Sequence, residues 1–242
     1  MLELKNVSFS YNQYRQVISD MNFKIEKDEC VGIIGANGAG KSTILKLLVG
    51  LELGFSGEIF VEGIKLEKKT LNQIRQKIGY VFQDSDSQLF MPTVYDDVSF
   101  APRNYGYSKK DVEEKTLDAL RKIGIENLKD RPIYSLSGGQ KKLASIATVL
   151  SMNPNILIFD EPTIALDPKN RRRFIKILNE LNTTKIVTSH DLDLIYDTCS
   201  RTILIDDGKI IADGDTKEIL TNKQLLEEHN LELPLSMYWL FI

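Results

Sequence analysis

Gly35-Ala36-Asn37-Gly38-Ala39-Gly40-Lys41-Ser42 fits the pattern G-x-x-x-x-G-K-[ST] at every fixed position. The glycines let a backbone curl until several N–H groups point at one phosphate, and a helix starting there adds positive potential. Lys41 can bridge neighbouring phosphates, and the Ser42 hydroxyl can ligate Mg²⁺. Apolar residues run up to the loop (Cys30 to Ile34), and Ile44, Leu45, Leu47 and Leu48 follow it at helical spacing. That is the strand–loop–helix setting the motif requires. The plain alternative, a glycine-rich turn that binds nothing, leaves the complete motif and its setting unexplained.

A second constellation is acidic. Ile156-Leu157-Ile158-Phe159 reads as a buried strand running into Asp160-Glu161. Ligands of open parallel sheets bind at the carboxyl ends of strands, so these two carboxylates would meet the phosphate loop. Asp160 suits Mg²⁺, through water. Glu161 suits a general base that orients or deprotonates an attacking water, a role worth about 10²–10⁴ in rate. An acidic turn capping the next element is the alternative.

Between loop and acids lies Leu136-Ser137-Gly138-Gly139-Gln140. Ser137 offers a hydroxyl, the glycines permit close backbone approach, and a helix start attracts an anion by roughly 0.3–2 kcal/mol. Alone, the stretch could be a helix cap with a glycine turn. Set between the other two motifs, it makes the chain resemble the ATPase subunits of ABC transporters, from about Leu2 to about Leu220. The resemblance implies an α/β fold: a P-loop NTPase core with a mainly parallel sheet, an antiparallel β subdomain and a helical subdomain. It implies ATP and Mg²⁺. It also implies a second ATPase subunit, identical or different, facing the first head to tail, so that Ser137, Gly138, Gly139 and Gln140 act on the partner's ATP.

Carried over residue by residue, the resemblance puts the chain's own ATP on Gly35, Asn37, Gly38, Ala39, Gly40, Lys41, Ser42 and Thr43. Tyr11 matches the aromatic that stacks on adenine, with Tyr14 a rival; a tyrosine in such a strand is as often core. Ser42, Gln83 and Asp160 would serve Mg²⁺. Gln83 matches the Q-loop glutamine, Asp167 the D-loop aspartate and His190 the switch histidine, so that Glu161, His190 and Gln83 form the catalytic set. Phe82 to Phe90, continuing through Thr93-Val94, Asp97-Val98 and Phe100-Ala101-Pro102, resembles the Q-loop region of energy-coupling-factor ATPases. Those drive uptake of cobalt, nickel and vitamins through membrane coupling subunits. Departures from the usual pattern are Leu143 after the signature, Ala101, and Ile164-Ala165 before the D-loop.

The remainder of the chain sets bounds. With 242 residues and 42% hydrophobic content it can bury a sizeable core. A net charge of −3 implies no broad basic face and no nucleic-acid partner. No run approaches the ~20 apolar residues of a membrane span, and the first residues lack a secretion signal. Cys30 and Cys199 fit neither a disulfide framework nor a metal-site spacing. The expected place is the cytoplasmic face of the cell membrane, held by integral coupling or permease subunits. Other readings are the ATPase of another ABC transporter, or a non-transport ABC protein acting on DNA or ribosomes. The latter usually carries coiled-coil inserts or fused ATPase domains, which are missing here.

The elements that must position these residues read as follows. Residues 1–220 form the ATPase domain, with a helical insert at about 92–150, and residues 221–242 form a C-terminal helical and apolar tail. Met21, Phe23 and Ile25 alternate as a strand, Ser108 with Asp111 caps a helix, and Thr202 to Ile211 folds at Asp207-Gly208 as a hairpin. Asp215 with Glu218 opens a final helix. Arg171-Arg172-Arg173 reads as a solvated helix face rather than a lipid-binding patch, and His229 as a solvated side chain; the apolar tail from Leu233 reads as packed on the body, with docking on a partner subunit or resting at the lipid interface as alternatives.

Overall fold

The computed structural model describes residues 1–12, 15–164 and 166–240. Early period-two alternation gives strands with one buried face. β1 (Leu2–Asn12) pairs antiparallel with β2 (Arg15–Ile25), burying Leu2, Leu4, Val7, Met21, Phe23 and Ile25. β3 (Cys30–Ile34) is buried throughout, as a strand covered on both faces should be. It leads through the glycine loop into α1 (Lys41–Leu48). β4 (Ser56–Val61) and β5 (Ile64–Lys65) then complete a four-stranded sheet in the order β2-β1-β4-β5.

After α2 (Leu71–Arg75), β6 (Ile78–Val81) enters the main sheet. Three helices intervene before the next strand. α3 (Val94–Asn104) starts at a Thr93 cap, α4 (Lys109–Ile123) at a Ser108 cap whose Oγ accepts from Asp111 N–H, and α5 (Gly138–Leu150) at Ser137. Gly124, with φ 68°, closes α4 in the left-handed conformation that stops helices. Then β7 (Ile156–Asp160), α6 (Pro168–Glu180), β8 (Thr184–Thr188), α7 (Leu192–Thr198) and β9 (Arg201–Asp206) alternate. β10 (Lys209–Asp215) turns back on β9 through Asp207 (φ 42°) and Gly208 (φ 73°), as a two-residue hairpin requires. The six-stranded sheet runs β10-β9-β3-β8-β7-β6, parallel except for β10.

Side chains of the parallel strands divide between two cores. Val31, Ile33, Ile156, Ile158 and Ile186 pack with α1 and the antiparallel sheet. Ile34, Leu157, Phe159 and Val187 pack with α3 to α7. Asp215 does open a helix, α8 (Thr216–Thr221), but α9 (Lys223–Glu228) follows it.

Two polar expectations are corrected. His229 is not merely solvated: its Nδ1 meets Asp206 Oδ2 at 2.8 Å, where α9 ends against β9. Nor is the arginine run only a solvated face. Arg171 is paired with Asp191, and Arg173 donates to the Ile123 and Gly124 carbonyls that end α4. The tail packs in part, with Leu233 and Met237 buried and Leu235 exposed. The Asp193 carboxylate accepts from the Leu235 and Ser236 N–H groups. Phe241 and Ile242 lie outside the described residues. Among the described residues no helix is long and apolar enough to cross a membrane.

Candidate functional site

The parallel sheet fixes the site by register. β7 lies between β6 and β8, and Asp160, its last residue, pairs with Thr188. β3, beside β8 on the other side, ends at the glycine loop. The carboxyl ends of three strands therefore deliver the acids, Thr188-Ser189-His190 and the loop to one place. At Gly35 (φ 155°) a side chain would be impossible, since a Cβ would lie 2.2 Å from the Ile205 carbonyl oxygen.

The loop and Glu161 border a cavity of about 450 Å³, lined among others by Asn37, Lys41, Ser42, Gln83 and His190. Lys41 is buried, and its Nζ donates to the Gly35 carbonyl at 2.7 Å and the Ala36 carbonyl at 3.2 Å. Burial holds its pKa below that of a free lysine, although Glu161 and Asp160 act in the opposite direction. His190 Nε2 stands 3.4 Å from that ammonium.

Asp160 is held on both oxygens. Ser42 Oγ donates to Oδ1 at 3.2 Å, Thr188 Oγ1 to Oδ1 at 2.9 Å, and the Tyr80 hydroxyl to Oδ2 at 2.9 Å. Burial and the facing carboxylate raise the Tyr80 pKa far above the phenolic value, so the hydroxyl stays a donor. Glu161 is arranged differently. Its backbone has φ 46°, rare for a non-glycine residue, and its N–H donates to Thr188. Oε2 accepts from the His190 N–H at 3.0 Å. Oε1 is buried without a hydrogen-bond partner, 3.4 Å from His190 Nε2. An orphaned carboxylate oxygen is costly, and this one belongs to a residue that lines the phosphate-loop cavity.

The model of the ABC transporter family matches residues 18–164. An energy-coupling factor transporter ATP-binding protein of Methanosphaera stadtmanae is 41% identical over 239 residues, covering 97% of this chain and 86% of its own. A Geobacter sulfurreducens protein named for ABC transporter ATP binding is 44% identical over 237 residues, covering 98% and 95%. The structure of CbiO1 from Clostridium perfringens, described as part of the ABC transporter complex CbiONQ, superposes with a TM-score of 0.85. It shares 35% identity over 100% of this chain and 98% of that one. A dimeric bacterial ABC transporter cassette gives a TM-score of 0.80 at 30% identity over 89% and 99%.

The chain belongs to the ABC transporter family. It is an ATP-binding subunit of that family and an ATPase, with the family's fold.

The other residues singled out in this ABC ATPase sit apart from the cavity. Ser137 caps α5 in a reciprocal box: its Oγ accepts from Gln140 N–H at 3.3 Å, and Gln140 Oε1 accepts from Ser137 N–H at 3.0 Å. The stretch is thus a helix cap; Ser137 and Gly138 are exposed, Gln140 is half-buried and Gly139 is buried. A Cβ on Gly139 would come within 2.9 Å of Asn170 Nδ2. Asn170 is in turn bound to Asp167, the exposed cap of α6. None of Ser137 to Gln140 lines the phosphate-loop cavity.

Tyr11 is 52% exposed, stands edge-on to Phe9, and reaches Thr43 with its hydroxyl at 3.3 Å. Tyr14 and Ala165 lie outside the described residues. Tyr80 and Thr188 carried no motif; their roles come from standing on the strands that flank β7. Lys142 was also missed. It is buried on α5, and desolvation pulls its pKa down to about 8. Leu143, in place of a common basic residue, is simply core.

Proposed function

We propose that this ATPase drives an importer of the energy-coupling-factor type from the cytoplasmic face of a membrane, bound to integral coupling subunits. The carrying observation is a second cavity, about 380 Å³, formed by the segment whose sequence resembles that branch. Phe82, Gln88 and Phe90 line it, with Phe100 and Tyr105 from the helical insert and Met152 just after α5. Phe90 is 64% exposed and stacks edge-on against Phe100. Such an aromatic groove suits an apolar helix or loop of a partner. Phe82, which lines this groove, immediately precedes Gln83, which lines the ATP cavity, so an occupant would touch the segment that joins the two. The names of the relatives support this branch: two archaeal energy-coupling-factor proteins are 41% and 39% identical.

At the reaction centre the reading is as follows. The loop Gly35 to Thr43 wraps the ATP phosphates, Lys41 turns its ammonium toward them, and Tyr11 stacks on the base. Ser42 Oγ and Asp160, oxygen donors 3.2 Å apart, fit a hard cation that prefers oxygen, with Gln83 at the rim. Bound Mg²⁺ would there offset phosphate charge. Glu161 Oε1 takes the proton of the attacking water, and His190 stands between that oxygen and Lys41, within reach of a terminal phosphate. Ser137 to Gln140 and Asp167 face a second ATPase subunit and complete its site. The domain division follows the same reading: residues 1–220 do this work, with the helical insert at about 92–150, and 221–242 form a tail.

The test is co-purification. The chain should bring integral coupling subunits out of detergent-solubilised membranes, and Phe90→Asp, folded by circular dichroism, should not. Equal recovery with Phe90→Asp refutes the groove, and recovery of exporter subunits refutes the importer.

A further inference from the structure

Lys142 lies one turn into α5 with 2% of its surface exposed. Its Nζ donates to two main-chain carbonyls far away in sequence, Gln83 O at 2.7 Å and Phe82 O at 2.9 Å. Gln88 fastens the same loop from its other end. Its Oε1 accepts from Phe82 N–H at 3.0 Å, and its Nε2 donates to Ser145 O at 2.8 Å and Thr148 Oγ1 at 2.9 Å. Lys141 adds a third, exposed link to Asp86 at 2.6 Å. Residues 82–88 are therefore tied to α5 at three points. α5 begins at Ser137, so the loop that lines the chain's own cavity and the residues turned toward a second subunit belong to one piece.

Burying an ammonium is expensive, and an apolar side chain of that length would fill the space at less cost. Two carbonyls held by one cation are what the charge supplies. We infer that Lys142 is a positioning residue for ATP hydrolysis: with Gln88 it sets the main chain at Gln83 and locks the 82–88 loop to the signature helix. The inference rests on reading Gln83 as a reaction-centre residue. An occupant of the neighbouring aromatic groove that shifts Phe82 then shifts Gln83 and Ser137 together.

The test is a kinetic double-mutant cycle on the purified ATPase, with its partner subunit present if the pair is a heterodimer, using Lys142→Met and Gln88→Ala, each alone and with Gln83→Ala. Lys142→Met should lower kcat about tenfold, leave the equilibrium affinity for Mg-ATP within about twofold, and cause no further loss in the Gln83→Ala background. Lys142→Arg, which keeps the cation, should recover part of the rate. A folded Lys142→Met with unimpaired kcat, or losses that simply multiply with those of Gln83→Ala, overturns the inference. If Lys142→Met does not fold, Gln88→Ala decides, because Gln88 is half-buried at the surface; unchanged turnover there overturns the clamp. Full turnover in Gln83→Ala itself removes both the Gln83 reading and this inference. A slow Gln83→Ala beside a normal Lys142→Met removes the inference alone.

Discussion

Glu161→Gln separates binding from chemistry with almost no change of shape. In the wild-type site Oε2 accepts from His190 N–H at 3.0 Å, while Oε1 is buried and unpartnered. A glutamine can place its carbonyl oxygen where Oε2 was and keep the His190 contact. Its NH₂ then occupies the place of Oε1, where it cannot take a proton from water. Loss of a positioned base predicts a kcat lower by about 10²–10⁴, which is about 2.7–5.5 kcal/mol of barrier. The same orphaned oxygen costs the resting protein about 1–3 kcal/mol. The glutamine NH₂ is as buried but uncharged, while the attraction of Glu161 to Lys41 is lost, so Glu161→Gln should melt close to wild type. The assays are steady-state turnover and equilibrium affinity at saturating Mg-ATP, with thermal unfolding of the nucleotide-free protein. Because ATP is bound and not cleaved, the variant should also accumulate as a dimer by size-exclusion chromatography, with its partner subunit present if the pair is a heterodimer. Turnover within about tenfold of wild type at unchanged affinity would falsify the base assignment. A strictly monomeric variant under those conditions would remove the composite site.

Tyr80→Phe should leave the fold intact while raising the Mg²⁺ concentration for half-maximal nucleotide binding about fivefold, since Asp160 loses one donor worth about 1 kcal/mol; a Mg²⁺ titration of nucleotide affinity checks it, and an unchanged midpoint refutes it. Arg171→Met breaks a two-pronged pair with Asp191 (2.5 and 2.9 Å), which also caps α7 just after His190. Both side chains are about a quarter exposed, so the cost should be about 1 kcal/mol rather than that of a buried pair, read from the urea midpoint.

The parts of the site that could be read from the chain are contiguous. Gly35 to Ser42 and Asp160-Glu161 advertise themselves because one turn and one strand end hold all the groups concerned. Strand periodicity also placed β2, β3, β7 and the β9–β10 hairpin within a few residues, since burial on one or both faces leaves a direct imprint. What escaped notice depends on neighbours brought in by folding. Tyr80 reaches Asp160 only because β6 pairs with β7. Thr188 does so only because β8 pairs on the other side. His229 looked solvated because Asp206 lies 23 residues upstream. Lys142 follows the polar Gln140-Lys141 in the sequence, and nothing there says that its amine turns inward to carbonyls about sixty residues back. The LSGGQ stretch admitted two descriptions. The cap is what the fold displays, and the contact with a second subunit proposed above would need a second copy to form.

The division of the parallel sheet between two apolar compartments makes adjacent residues of β7 report on different machinery. Ile158 leans on α1 and the antiparallel sheet, whereas Phe159, the next residue, meets Phe174 and the helices around α5. Trimming Ile158 would slacken the ground beneath the triphosphate grip. Trimming Phe159 would slacken the helical insert and α5, and both wounds would lie within two residues of Asp160, which Ser42, Thr188 and Tyr80 hold.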